Sequence, residues 1–120
     1  MKQNNVVVDK SFNFAVRVVK LYQHLCKEQK EYVLSKQLLR AGTSIGANIN
    51  EAQAAQSTKD FVSKLSIASK EARETQYWLE LLCETNYLDK SQQHVQSLLE
   101  ESLELIKLLT SIIKTTQSRN

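Results

Sequence analysis

The sequence predicts an all-α protein, an antiparallel up-down-up-down four-helix bundle. The chain of 120 residues contains no proline and only two glycines, which argues against the many turns of an all-β fold. Apolar residues recur at three- and four-residue spacing in four segments that short connections join, and such helices pack best as antiparallel neighbours. We therefore expect one domain over residues 1–120, with helices at about 11–29, 32–55, 58–86 and 90–115.

The first helix carries more apolar surface than an outer helix of a monomeric bundle needs. Asp9 or Ser11 is a candidate N-cap, because a short side-chain oxygen can accept from a free N–H group of the first turn. Two apolar seams together cover more than half of the circumference, which indicates either a central helix or a burial partner in another subunit. The seams are Phe12, Ala15, Val19, Tyr22 and Cys26, and Phe14, Val18, Leu21 and Leu25.

The second helix contains both glycines, Gly42 and Gly46, within "RAGTSIGANINEA". Each interior glycine costs about 1 kcal/mol of helix propensity, so we expect a gain through the close approach of a neighbouring helix. A kink at a glycine is the alternative. If close packing is the reason, replacing Gly46 by leucine should destabilise the fold strongly through overpacking.

A polar stripe follows another side of the second helix. It is either a solvated face or a hydrogen-bonded seam that reaches acids of the third helix, such as Glu71 or Glu74, because buried polar groups need partners. The stripe consists of Gln37, Arg40, Ser44, Asn48 and Glu51.

The third and fourth helices have recognisable boundary signals. Ser57, with Asp60 three residues later, fits a capping box, and Asn86 tolerates the left-handed conformation that ends many helices. Asp89 in "DKSQ" predicts a second box at the start of the fourth helix. The fourth helix again has two apolar rows. They are Val95, Leu99, Ile106, Leu109 and Ile113, and Leu98, Leu105, Leu108 and Ile112.

These segments resemble the bacterial four-helix-bundle family of large-subunit ribosomal RNA intervening-sequence proteins, over roughly residues 9–115. In that family glycine and proline interrupt the second helix, whereas this chain has Gly46 after Ser-Ile and Ala52 after Glu51, so we expect a straighter helix. The matching motifs are Arg40, Ser44-Ile45, Asn48-Ile49, Glu51, Lys59-Asp60-Phe61, Glu71-Ala72-Arg73-Glu74-Thr75 and Tyr77-Trp78-Leu79.

The resemblance implies a bundle that assembles into a ring, often a pentamer, and it implies no enzymatic activity. Some members of the family are encoded inside insertions in ribosomal RNA genes. Related accessory proteins of diversity-generating retroelements bind nucleic acid and a reverse transcriptase.

The net charge of +3 hides an excess of cations at the start of the chain. Residues 1–40 hold eight Lys/Arg and three Asp/Glu, a balance of +5, whereas residues 41–120 have a balance of −2. A stripe of cations opposite the apolar seams of the first helix could neutralise phosphates and release counterions, although any exposed helix also needs a charged face. We expect weak, sequence-tolerant binding of RNA or another nucleic acid. The candidate contacts are Arg17, Lys20, Lys27, Lys36 and Arg40.

A protein-interaction scaffold without nucleic acid is the alternative function. Residues 71–104 are rich in acids and could meet the basic half of a neighbour or another protein. Tyr77, Trp78 and Leu81 mark either an interface or a wide core-facing side of the third helix.

Other classes of protein are not supported by the sequence. No nucleophile motif, Gly-rich phosphate loop or Glu-x-x-His pair occurs, so we expect no catalysis, no cofactor and no metal. No apolar run approaches the ~20 residues of a membrane span, and the first residues lack a signal-peptide pattern, so we expect no membrane partner and a cytoplasmic location. Cys26 and Cys83 fit no ligand spacing and are expected to be small buried hydrophobic residues.

Overall fold

The computed structural model describes the backbone of residues 2–119 and the side chains of residues 5–119, and it is a four-helix bundle. The helices are α1 (Lys2–Gln29), α2 (Leu34–Ala52), α3 (Thr58–Glu84) and α4 (Gln93–Ser118). Each helix packs against the next, and α1 closes the bundle against α4 in a rod of 48 × 23 × 19 Å. The all-α, up-and-down architecture predicted from the sequence is confirmed.

The two double seams have different fates in the bundle. In α4, members of both rows are buried together, so the bundle itself uses that wide apolar face. In α1 only the second seam is central: Phe14, Val18 and Leu25 are completely buried, whereas Phe12 of the first seam is 69% exposed. The surplus apolar surface of α1 therefore lies outside the bundle core.

α1 begins at Lys2, nine residues before the predicted start at Ser11. Neither Asp9 nor Ser11 is an N-cap, and the hydroxyl of Ser11 donates to the carbonyl oxygen of Val8 within the helix at 3.1 Å. The earlier start has a packing reason, because the buried seam of Phe14 and Val18 continues back through Ser11 to the fully buried Val7.

The close approach at the two glycines is made by α1. A Cβ atom on Gly42 would lie 2.7 Å from Val18 Cγ1 and 2.8 Å from Val18 Cγ2, closer than real Cβ atoms pack. A Cβ atom on Gly46 would lie 3.3 Å from the backbone oxygen of Ser11. α2 continues as a helix through both glycines, so they serve close packing and do not interrupt the helix.

The start of α2 is capped by Glu31, which no local sequence pattern had indicated. Its carboxylate accepts hydrogen bonds from the backbone N–H groups of Val33 (3.1 Å), Leu34 (3.0 Å) and Ser35 (2.6 Å). Burial raises the pKa of Glu31, but these backbone donors outweigh it and hold the pKa below its ordinary value of 4.5. A negative charge here also complements the positive end of the helix dipole. The helix begins at Leu34 and not at the predicted residue 32, because Glu31 supplies the cap before it.

We expect Glu31→Gln to lower the free energy of unfolding by about 1–2 kcal/mol at neutral pH. Because the folded-state pKa is lowered, the carboxylate stabilises the fold above the ordinary pKa, and that contribution is lost as the pH falls through the folded-state pKa. Denaturant unfolding at about pH 7 and about pH 3 should therefore show the two proteins converging at low pH. Glu28→Gln, an exposed neighbour, is the matched control and should change little at either pH.

Both predicted end residues of α3 act as expected, but the capping box is incomplete, because the Asp60 carboxylate accepts from the backbone N–H of Gln56 at 3.3 Å, one residue before Ser57. Ser57 accepts from the backbone N–H of Asp60 at 3.0 Å. At the other end Asn86 has φ 69°, and the backbone N–H of Tyr87 reaches the carbonyl oxygen of Leu82 at 2.9 Å, which is a Schellman motif.

The predicted box at the start of α4 is wrong. The side chain of Asp89 accepts from the backbone N–H of Ser91 at 3.0 Å and from its hydroxyl at 2.7 Å. These bonds close a turn before the helix, which begins at Gln93 with no side-chain cap. Asp89 is thus a turn residue, and the fourth helix starts three residues later than expected.

Candidate nucleic-acid interface

Arg17, one of the predicted phosphate contacts, joins α1 to α4. Its guanidinium donates to the hydroxyl of Ser97 at 2.9 Å, to the carboxylate of Glu101 and to the backbone carbonyl of His94 at 3.1 Å. The N–H groups of both terminal guanidinium nitrogens thus already have acceptors within the bundle. We therefore remove Arg17 from the candidate phosphate contacts.

Arg40, the second arginine of that set, joins α2 to α3. It donates to Glu71 at 3.0 Å and also to Glu74, whose carboxylate accepts from the indole N–H of Trp78 at 3.0 Å. The indole bond is the main cause of the lowered pKa of Glu74, and Arg40 adds to it against the opposing effect of burial. Arg40 thus belongs to the hydrogen-bonded seam between α2 and α3, and we remove it from the candidate phosphate contacts as well.

The rest of the polar stripe divides between two roles. Glu51 extends the seam through an ion pair with Lys64 at 3.3 Å. The hydroxyl of Ser44 and the side-chain amide of Asn48 instead donate to carbonyl oxygens one turn earlier in α2, at 2.7 and 2.8 Å. Gln37 is exposed. The stripe is neither wholly solvated nor wholly a seam.

The acid-rich segment finds much of its complementary charge within the chain. Besides the contacts of the two arginines, Glu104 pairs with Lys10 at 3.0 Å and Glu80 pairs with Lys90 at 2.9 Å. The basic face of α1 is therefore partly opposed by acids of α4. This internal pairing weakens the suggestion that the acid-rich segment meets the basic half of a neighbour.

Four lysines at one end of the bundle remain exposed and make no ion pair within the described part of the chain. Three are predicted contacts, Lys20, Lys27 and Lys36, and the fourth is Lys30 in the connection between α1 and α2. Tyr32, 58% exposed, stands in the same connection. We call these five residues the basic end. Lys30 and Tyr32 were missed, although "KEQKEY" places an aromatic residue two positions after the second lysine.

A different surface lies along the outer side of α1 next to α2. Phe12 and Val16 are exposed, and Val8 and Ala15 are only half-buried. An open cavity of about 370 Å³ runs beside Phe12 and reaches Gly46 and Ala47 of α2. We call Val8, Phe12, Ala15, Val16 and Ala47 the outer apolar face.

The remaining aromatic and cysteine side chains and the described helices show no sign of a reactive thiol, a metal site or a membrane span. Tyr77 is 59% exposed, whereas Trp78 is partly buried against the core and forms a T-shaped pair with the Tyr77 ring, with ring centroids 5.1 Å apart. Burial raises the pKa of the Cys83 thiol, which is typical of an unreactive cysteine. Within residues 5–119 no three His, Cys, Asp or Glu side chains are grouped as metal ligands would be. None of the four described helices is long and apolar enough to cross a membrane.

The chain matches known proteins over nearly its whole length. The model of the 23S rRNA-intervening sequence protein family matches residues 3–111. A crystal structure at 1.70 Å resolution shows a similar protein of unknown function, from the S23 ribosomal protein family of Bacteroides thetaiotaomicron VPI-5482. The two are 59% identical, with a TM-score of 0.89 over 93% of this chain and 98% of the other. A search of curated proteins gave no match. The chain belongs to the 23S rRNA-intervening sequence protein family.

Proposed function

We propose that this protein is a non-catalytic, self-associating accessory protein of the cytoplasm that binds single-stranded RNA weakly and without sequence preference. The observation that carries the proposal is the basic end, where four exposed lysines have no acidic partner within the described chain. Cations that are not already paired can neutralise phosphates and release their counterions.

The charge balance around the connection between α1 and α2 favours an anionic partner. Residues 20–36 contain four lysines and two acids, Glu28 and Glu31. Glu31 is buried and accepts hydrogen bonds from the backbone of α2, so its charge is directed to the helix and not to the surface. Phosphates approaching this end therefore meet a positive surface.

The position of Tyr32 favours a single strand over a duplex. Bases of a single strand can stack on an exposed aromatic ring, whereas the bases of a duplex are already stacked and paired. The ring is flanked in sequence by Lys30 and Lys36, which can hold the adjacent phosphates. Stacking of this kind tolerates any base, in keeping with the lack of a readout motif in the sequence.

We expect the triple variant Lys27→Gln/Lys30→Gln/Lys36→Gln to weaken RNA binding by about tenfold or more at low salt, because three phosphate contacts are lost. Titration of a labelled single-stranded RNA, monitored by fluorescence anisotropy at several salt concentrations, measures both the affinity and its salt slope. The slope should be shallower for the triple variant than for the wild type.

The other half of the bundle offers a control with the same change in charge. Lys59, Lys107 and Lys114 are exposed and unpaired within the described chain, and Lys59→Gln/Lys107→Gln/Lys114→Gln should retain most of the affinity. Equal losses in the two triple variants would show that only net charge matters. Absence of RNA binding by the wild type would favour the interaction scaffold without nucleic acid.

We also propose that the protein forms a closed homo-oligomer, with a pentamer favoured, through the outer apolar face. A contiguous exposed apolar surface is typical of an interaction site. Phe12 supplies the kind of large aromatic anchor that often dominates an interface. Self-association would also multiply the basic ends, since each copy adds a net charge of +3 and one further RNA contact to the assembly.

A further inference from the structure

A cavity of about 550 Å³ opens next to the basic end of the bundle, between α1 and the connection from α3 to α4. This volume is within the range of small-molecule sites, which combine an apolar floor with a few polar groups. Leu21, Leu88 and Leu98 form apolar parts of its lining, and each is nearly completely buried. The cavity is thus an open groove with a partly apolar lining.

The two sides of the cavity differ in chemistry. The α1 side carries Lys20 and His24, both exposed and without an ion pair in the described chain. Arg17 lies beside them, and its bond to the backbone carbonyl of His94 at 3.1 Å holds α1 against the start of α4. This side is suited to a phosphate.

The opposite side carries neutral polar groups and an aromatic ring. Asn86 and Gln92 are exposed, and their side-chain amides can both donate and accept hydrogen bonds. Tyr87 adds a half-buried ring. Asp89, the acid of this side, lies on the connection and not on α1, and it already accepts two hydrogen bonds from Ser91. This side is suited to a nucleobase and not to a second anion.

We propose that this cavity binds a nucleoside monophosphate, with the phosphate at Lys20 and His24 and the base at Asn86 and Tyr87. The same chemistry is presented by a free nucleotide and by one nucleotide of single-stranded RNA. In the second case the cavity deepens the proposed function, on which it then rests, by giving the strand one fixed nucleotide beside the basic end.

The test is the binding of AMP, adenosine and inorganic phosphate to the full chain, measured by amide chemical-shift changes in NMR spectra. We expect AMP to bind with a dissociation constant of about 1 mM and to shift residues 86–92, with phosphate and adenosine each weaker. Lys20→Gln should lower the affinity for AMP about fivefold and leave the affinity for adenosine unchanged, because only the phosphate contact is lost. Asn86→Gly should weaken AMP and adenosine alike, and glycine keeps the positive φ that this position requires.

Lys27→Gln is the matched control, because Lys27 is an exposed lysine of α1 that does not line the cavity. If it weakens AMP as much as Lys20→Gln does, or if saturating AMP leaves residues 86–92 unshifted, the proposal is overturned. Competition between AMP and a short oligoribonucleotide identifies the source of the ligand: displacement indicates a nucleotide of RNA, and simultaneous binding indicates a free nucleotide.

The two proposals fail in different ways. If the protein binds RNA through Lys27, Lys30 and Lys36 but does not bind AMP, the cavity site is refuted and the RNA function stands. AMP binding with the expected response to Lys20→Gln and Asn86→Gly, in a protein that does not bind RNA, would refute the RNA function and leave the cavity site standing.

Discussion

Gly42→Leu is expected to lower the free energy of unfolding by about 3 kcal/mol or more, which is a large part of the total stability of a small domain. Even a Cβ atom at this position would lie 2.7 Å from one methyl group of Val18 and 2.8 Å from the other. Val18 is completely buried and β-branched, so it has neither free space nor an alternative rotamer of low energy. The helices α1 and α2 would have to separate.

A double-mutant cycle isolates this contact from the gain in helix propensity that any replacement of glycine brings. Gly42→Ala gains about 1 kcal/mol in propensity but suffers the clash with Val18, so it should be destabilising or neutral. Combined with Val18→Ala, which removes both methyl groups and leaves the Cβ of residue 18 at 3.2 Å, it should be less destabilising than it is in the wild type. Equilibrium denaturation of the four proteins measures the coupling, which we expect to be about 1–3 kcal/mol.

Two controls define what would contradict the close-packing explanation. Gln37→Leu, on the exposed side of the same helix, should change stability little. Gly46 should be more tolerant than Gly42, because its nearest neighbour is at 3.3 Å and an open cavity lies beside it. If Gly42→Leu and the wild type have the same melting temperature, the packing of α1 against α2 does not depend on this contact.

Phe12→Lys is expected to convert the proposed oligomer into a monomer of 13.7 kDa. Burying a phenylalanine side chain contributes roughly 1.5–3 kcal/mol at each interface, whereas a lysine there would be a buried, unpaired charge. Multi-angle light scattering of the wild type and the variant at micromolar concentration measures the mass directly. Because Phe12 is 69% exposed in the single chain, the helix content of the monomer should be unchanged.

Leu103→Lys is the matched control for the outer apolar face. Leu103 is an exposed apolar residue of α4 that does not line the cavity beside Phe12, and its replacement should leave the oligomer intact. A wild type that is already monomeric at micromolar concentration would contradict the assembly, and a Phe12→Lys protein of unchanged mass would contradict this face as its interface. Loss of the oligomer in both variants would point to net charge and not to Phe12.

The number of helices and some of their boundaries, such as the end of α1 at Gln29 and the start of α3 at Thr58, could be predicted from the sequence, because the signals for them are local. The three- and four-residue spacing of apolar side chains repeats within each segment, and Ser57 and Asn86 act on the backbone within a few residues. Failures came where tertiary packing extends or replaces a local signal. The burial of Val7 lengthens α1 past its apparent caps, and Glu31 reaches forward to a helix that has no cap residue of the usual type.

The functional surfaces were less predictable, because they depend on contacts between distant residues. Periodicity identified two apolar seams in α1 as equivalent, and only the approach of α2 at Gly42 decided that the seam of Val18 is buried and that of Phe12 is exposed. Composition identified a basic first third of the chain, but Arg17 and Arg40 pair with acids 84 and 31 residues away, whereas Lys27 and Lys36 do not. A charge is available to a partner only if the folded chain leaves it unpaired, and this depends on side chains that the fold alone brings together.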